Sequence, residues 1–441
     1  MKDSIRYMIE RRSAGVPCGI ASFCTANELV IEAVLEQAKK NGDVALIEAT
    51  ANQVNQFGGY TGMKPIDFKR FVYQIADKIY FPKENIILGG DHLGPLIWTG
   101  ENEGVAMEKS KELVRQFVKA GYKKIHLDTS MRLASDSIDE KLSDEVIARR
   151  GAELYKVCEE AYQELLKENP SEARPVYIIG SEVPIPGGAQ EEEESITVTK
   201  PQDVENTLEV YRKEFEKAGI DKAFENVIGI VVQPGVEFGD AEIFHYDRYN
   251  AKELCDSVKK YEGIVLEGHS TDYQSPQNLR MMVEDGIAIL KVGPALTFAL
   301  REGLFALSRI EEELITREKR ANFIDVLEDV MVSNPENWKK HYHGSEKELQ
   351  IKRKYSFSDR CRYYFAQPEI IKSMEKLFDN LDSVEIPLSL LQQYMPLQYI
   401  KVRDKKLNMK ARELAKDNIK MLIEDYNYAV RPGHIIGGIF V

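Results

Sequence analysis

An acid and an imidazole stand side by side at Asp91-His92, inside the run Ile-Ile-Leu-Gly-Gly-Asp-His-Leu-Gly-Pro at 86–95. Three apolar residues suit a strand buried on both faces, and two glycines let backbone pass close to other atoms. The chain then presents a carboxylate and a metal-capable base before Gly94-Pro95 turns it away. Other apolar runs end the same way: on Glu48, on His126 and Asp128, on Glu182, on Gln233, on Glu267 and His269, and on Lys291. Burying so many ionisable groups together is unfavourable unless they are paired or hold a cation. The convergence therefore predicts a divalent metal and a polar substrate. His92 and His269 are the ligand candidates, and Glu182 and Gln233 could complete the shell with oxygens. Imidazoles plus oxygens suit Zn²⁺, Mn²⁺ or Co²⁺ alike. Asp91, Asp128 and Glu182 are the candidate acids and bases, because carboxylates near a metal can hold different protonation states. His126, two residues before Asp128, is expected to pack beneath the site rather than ligate. Lys291 could steady a developing alkoxide or contact phosphate. Asn52 and Gln53, in the amide- and glycine-rich loop at 50–62, are candidate substrate contacts, as are Ser270 and Asp272. The turn at 268–274 and the helix start after Gly293-Pro294 could bind an anion through backbone N–H groups, with Arg301, Arg360 and Arg362 as candidate partners.

The elements that must hold these residues can be read in order. Apolar runs at 19–24, 44–49, 86–95, 124–128, 176–182, 227–233, 263–269 and 287–292 alternate with helical patterns, the last at 294–314. Eight such pairs over roughly 300 residues fit a (β/α)8 TIM barrel, whose chemistry lies at the C-terminal ends of its strands. No dinucleotide glycine fingerprint follows the first strand and no P-loop is present. After Leu314 strand alternation stops, which predicts a barrel over 1–315 and a helical extension over 316–441 packed on it. The charge run at 191–194 reads as a solvated loop.

The net charge of −13 over 441 residues leaves no basic surplus to neutralise phosphates, which argues against nucleic acid. No run approaches membrane-span length. Residues 1–15 lack an apolar signal core and the five cysteines are scattered, so a cytoplasmic protein with reduced thiols is expected.

Several longer stretches look familiar. Ile-Glu-Ala-Thr-Ala-Asn-Gln-Val-Asn-Gln-Phe-Gly-Gly-Tyr-Thr-Gly (47–62), Leu-Gly-Gly-Asp-His-Leu-Gly-Pro (88–95), Val-Val-Gln-Pro-Gly-Val-Glu-Phe (231–238), His-Ser-Thr-Asp-Tyr-Gln (269–274) and Leu-Lys-Val-Gly-Pro-Ala-Leu-Thr-Phe-Ala-Leu-Arg (290–301) resemble the GatZ/KbaZ family. These are the Z subunits of class II D-tagatose-1,6-bisphosphate aldolase. The resemblance implies a TIM barrel and a place in tagatose or galactitol breakdown. It implies one of two roles: a C4 epimerase of tagatose, fructose or their 6-phosphates, or a non-catalytic partner of a class II aldolase Y subunit. It further implies Asp91 as acid/base aspartate and His92 and His269 as metal histidines, with Asp128 and Glu182 at acidic positions of the same site. Where catalytic aldolases carry a further metal histidine, this chain has Gln233. The expected partners are thus a ketohexose or its phosphate, a Y-type subunit, and further copies of the chain in a homo-oligomer.

Overall fold

The computed structural model describes residues 4–181, 183 and 196–431. Eight parallel strands close into a barrel: β1 Ile20–Cys24, β2 Ala45–Thr50, β3 Ile86–Leu93, β4 Lys124–Leu127, β5 Val176–Ile179, β6 Val227–Val232, β7 Val265–Gly268 and β8 Ile287–Val292. Each strand pairs with its neighbours in chain order, and β8 closes on β1. The strands are buried along almost their whole length, as their unbroken apolar runs require when helices cover the outside. The helix Glu28–Asn41 shows how the covering helices are bounded: the Asn27 side chain accepts from Val30 N, and Gly42 ends it at φ 66°. A two-stranded hairpin, Glu237–Phe238 with Ile243–Phe244, lies in the loop after β6 and has no counterpart in the sequence reading.

Inside the barrel, side chains change character with height. Leu46, Ile87, Val265 and Ile289 belong to one apolar cluster with Ile5 and Met8 of the N-terminal helix Ser4–Ser13. Two residues further along the same faces stand Glu48, Gly89, Glu267 and Lys291, so a charged layer rests on an apolar floor. Gly89 is required there: a Cβ would stand 2.7 Å from Glu48 Cγ.

After the helix Pro294–Leu314 the chain is helical among the described residues. The last long helix, Ala411–Val430, packs against Pro294–Leu314, Pro276–Asp285 and Glu28–Asn41. One continuous core cluster joins the extension to the barrel's outer layer. The single turn Arg360–Tyr364 carries Arg362 and Tyr363 to the C-terminal mouth of the barrel. Among the described residues no helix is long and apolar enough to cross a membrane.

Candidate active site at the barrel mouth

Successive strand residues normally face opposite ways, yet both Asp91 and His92 line the mouth. A bulge explains it. Gly90 pairs with Ile125 and Leu93 with Leu127, so two residues of β3 oppose His126 alone. His92 takes φ 48°, a conformation costly for a side chain other than glycine and held only by its surroundings. Gly94 completes the turn against β4, where a Cβ would stand 1.8 Å from Asp128 O.

Three imidazoles meet above the bulge. Ring centres are 5.0 Å apart for His92–His126, 5.0 Å for His92–His269 and 5.2 Å for His126–His269. One ligand atom from each, with an Asp91 oxygen, fits within 4.8 Å of all the others. Ion–nitrogen bonds of about 2.1 Å put ring centres on one tetrahedral ion about 5 Å apart. Each ring is oriented by a carboxylate. His92 Nδ1 donates to Asp128 Oδ2 (2.8 Å), His126 Nδ1 to Asp91 Oδ1 (2.9 Å) and His269 Nε2 to Glu267 Oε1 (2.9 Å). Ionised carboxylates only accept, so those nitrogens carry the protons and the opposite nitrogens keep their lone pairs. The His92 amide also lies 3.2 Å from His126 Nδ1, a contact needing the other tautomer. The shorter bond to a charged acceptor decides. His126 Nε2 is left buried without a hydrogen-bond partner, which is costly unless it meets an ion.

The charged layer beneath is continuous. Lys124, wholly buried, bridges Glu48 Oε1 (2.7 Å) and Glu267 Oε2 (2.8 Å). Lys291 bridges Glu48 and Asp91, with 3.0 Å to Asp91 Oδ2. With the three imidazoles neutral, Glu48, Asp91, Asp128 and Glu267 face only two ammonium groups, an excess of two negative charges in a buried interior. A single divalent cation matches that excess, and the residues fit Zn²⁺, Mn²⁺ or Co²⁺.

These contacts set the protonation states. Burial drives His269 down to about 3, and Glu267 only partly offsets it, so the ring is neutral and ready to ligate. Burial pulls His92 down as well, but Asp91 and Asp128 outweigh it and its pKa is raised. Burial alone would raise Asp91; His92, Lys291 and His126 instead hold it well below the usual carboxylate range. Lys291 is likewise held as an ammonium, since Asp91 and Glu48 overcome its desolvation.

A cavity of about 410 Å³ opens over this cluster. Of the residues expected at the site, Asp91, His92, His269, Asn52, Gln53, Ser270, Asp272 and Lys291 line it. Asp128 lies behind His92, its other oxygen held by the Ser130 hydroxyl (2.6 Å). Glu182 and the run at 191–194 lie outside the described residues. Gln233 does not line the cavity: its Oε1 accepts from Gly235 N (2.8 Å) and Val236 N (3.0 Å), closing the turn after β6. Arg301 also stands apart, bonded to Asp359 Oδ1 (2.9 Å) and stacked on Phe298. His126, expected beneath the site, belongs to the cluster itself. His126 shares its face with Lys124 on β4, and Asp128 follows two residues on, just past the strand. Tyr60, Arg362 and Tyr363 also reach the cavity. Arg362 is one of three arginines the sequence offers as an anion partner, and the extension delivers it and Tyr363 from far along the chain.

Fold and site together define a (β/α)8 barrel protein with a carboxylate-braced histidine cluster, competent to hold a divalent ion, at its C-terminal mouth. The chain belongs to the D-tagatose-1,6-bisphosphate aldolase subunit GatZ/KbaZ-like family, which it matches over residues 5–431. It is similar to a solved structure described as a probable tagatose 6 phosphate kinase from Sinorhizobium meliloti 1021. The two share 44% identity over 94% of this chain and 100% of that one, with a TM-score of 0.85. Fructose-bisphosphate aldolase from Campylobacter jejuni matches at 16% identity over 87% of this chain and 96% of its own, with a TM-score of 0.43. A likeness that weak carries no inference.

Proposed function

We propose that the chain is a divalent-metal-dependent enzyme of tagatose metabolism that inverts C4 of a ketohexose or its 6-phosphate. The observation that carries this reading is the convergence of Asp91, His92, His126 and His269 at the floor of a sugar-sized cavity. When bound there, a divalent ion supplies Lewis-acid stabilisation of negative charge on the ketose oxygens. Asp91 accepts the C4 hydroxyl proton. The C3–C4 bond breaks, its electron pair staying on C3, and C4 becomes an aldehyde carbon. Lys291 and His126 keep Asp91 ionised before the step, and Lys291 places positive charge beside it. The cavity retains the aldehyde while it rotates. C3 then attacks its other face and Asp91 returns the proton to the new C4 oxygen. Loss of the aldehyde instead would give aldol cleavage, so one site accommodates both outcomes.

A second reading rests on the family description itself, which names an aldolase subunit. In it the barrel and extension stabilise a catalytic Y-type partner. Purified chain alone, with Mn²⁺, Co²⁺ or Zn²⁺, is given tagatose 6-phosphate, fructose 6-phosphate and the free sugars. Interconversion that disappears in Asp91→Asn and His92→Ala supports the first reading. No turnover, together with rescue of a Y subunit, overturns it in favour of the second.

A further inference from the structure

The usual anion seat of a barrel is filled by the protein's own carboxylate. Asp272 Oδ1 accepts from Gly293 N (3.0 Å) and Ala295 N (2.8 Å), the free amides at the start of helix Pro294–Leu314. Asp272 is buried, so a phosphate brought there would lose those donors and meet a negative charge.

Positive charge for an anion must come from elsewhere on the cavity wall, where the cations are Lys291, Arg362 and Arg412. Lys291 is bridged by Glu48 and Asp91, and Arg412 is paired with Glu375 (2.6 Å). Arg362 makes no ion pair among the described residues. Its Nη1 donates to the Ser358 and Asp359 carbonyls and its Nη2 to the Tyr363 hydroxyl, which fix the guanidinium without neutralising it. The nearby Asp359 carboxylate is taken by Arg301 and Thr297. Tyr363 packs edge-on against Tyr60, with ring centres 4.9 Å apart. Asp91 reaches towards the same wall through Cys24, whose Sγ lies 3.7 Å from Asp91 Oδ2 and 3.9 Å from Gln53 Oε1. Asp91 and Arg362 thus line one cavity, with the neutral Cys24, Gln53, Tyr60 and Tyr363 also on its wall.

We propose that Arg362, carried by the C-terminal extension, is the anion subsite of this cavity and receives the phosphate ester of a ketohexose 6-phosphate. The proposal rests on the ketohexose reading above and narrows its substrate to the phosphorylated form. Guanidinium suits the task because its planar fork meets phosphate oxygens two at a time.

The test compares fructose 6-phosphate with fructose in the metal-loaded wild type, Arg362→Met and Arg362→Lys. Binding is read by calorimetry and turnover by kcat/KM, with inorganic phosphate as a competing probe. The wild type should prefer the phosphate ester. Arg362→Met should lower that preference roughly 10–100-fold, the loss of one charged hydrogen-bonding group, and should abolish competition by phosphate. Arg362→Lys, which keeps the charge without the fork, should fall between, and it decides the matter if Arg362→Met does not fold. A preference unchanged in either folded variant overturns the proposal. Turnover of free sugars with no preference for the ester overturns it too, and leaves the epimerase reading standing. Ester binding that depends on Arg362 without any turnover does the reverse.

Discussion

Lys124 is the side chain on which the charged floor of the site depends, and Lys124→Met removes it with little change in volume. Its ammonium lies 2.7 Å from Glu48 Oε1 and 2.8 Å from Glu267 Oε2, and all three side chains are wholly buried. At an effective dielectric constant of about 20, each contact is worth about 6 kcal/mol of Coulomb attraction. Desolvation of three ions offsets most of it, so removing one partner should cost about 3–5 kcal/mol. The loss is not larger because Glu48 retains Lys291 and Glu267 retains His269. Urea unfolding of the metal-free protein reads the difference by linear extrapolation. The double variant Lys124→Met/Glu267→Gln should be markedly less destabilised than the sum of the two single changes, since the amide leaves no orphaned charge. A divalent ion should stabilise Lys124→Met more than wild type, because the variant holds a larger negative excess. A cost below about 1 kcal/mol, the value of an exposed ion pair, would refute the buried network.

Four further outcomes follow from the histidine cluster. His126→Phe should weaken metal binding on the order of 100-fold, one ligand's share of a multi-ligand site. Gln233→Ala should leave affinity unchanged, because that amide serves its own turn; equilibrium dialysis with Zn²⁺ distinguishes them. Asp128→Asn should lower affinity by about 10–100-fold by weakening the anchor of His92 Nδ1. The pH dependence has a definite sign. The pKa of His92 is raised, so below that value, from somewhere above 6.5 downward, an incoming ion must displace its proton, whereas His269, at about 3, has none to lose. Calorimetry in two buffers should therefore show proton release on ion binding at about pH 6, and affinity falling as the pH is lowered; binding that releases no proton would contradict the assignment.

The barrel was legible because each strand buries both faces and so reads as an unbroken apolar run, with each helix marked by its own stops. Asp91, His92 and His269 were legible as polar ends of those runs. The roles of Gln233 and Arg301 were not, because spacing places a residue at a strand end or on a helix without saying whether its polar atoms are already spent. Gln233 spends its oxygen on two backbone amides, and Arg301 its guanidinium on Asp359. His126 became a candidate ligand only when the bulge at Asp91-His92 brought it opposite both residues, a register detail that no apolar pattern encodes. Arg362 and Tyr363 reach the mouth through tertiary packing of the extension, which sequence periodicity does not report.

The most direct test of one ion held by imidazoles from β3, β4 and the end of β7 is anomalous diffraction at the zinc edge from crystals grown with Zn²⁺. A single peak within about 2.0–2.2 Å of ring nitrogens from His92, His126 and His269 is the predicted result. A peak at another place, or those three rings turned away from a common point, would contradict it.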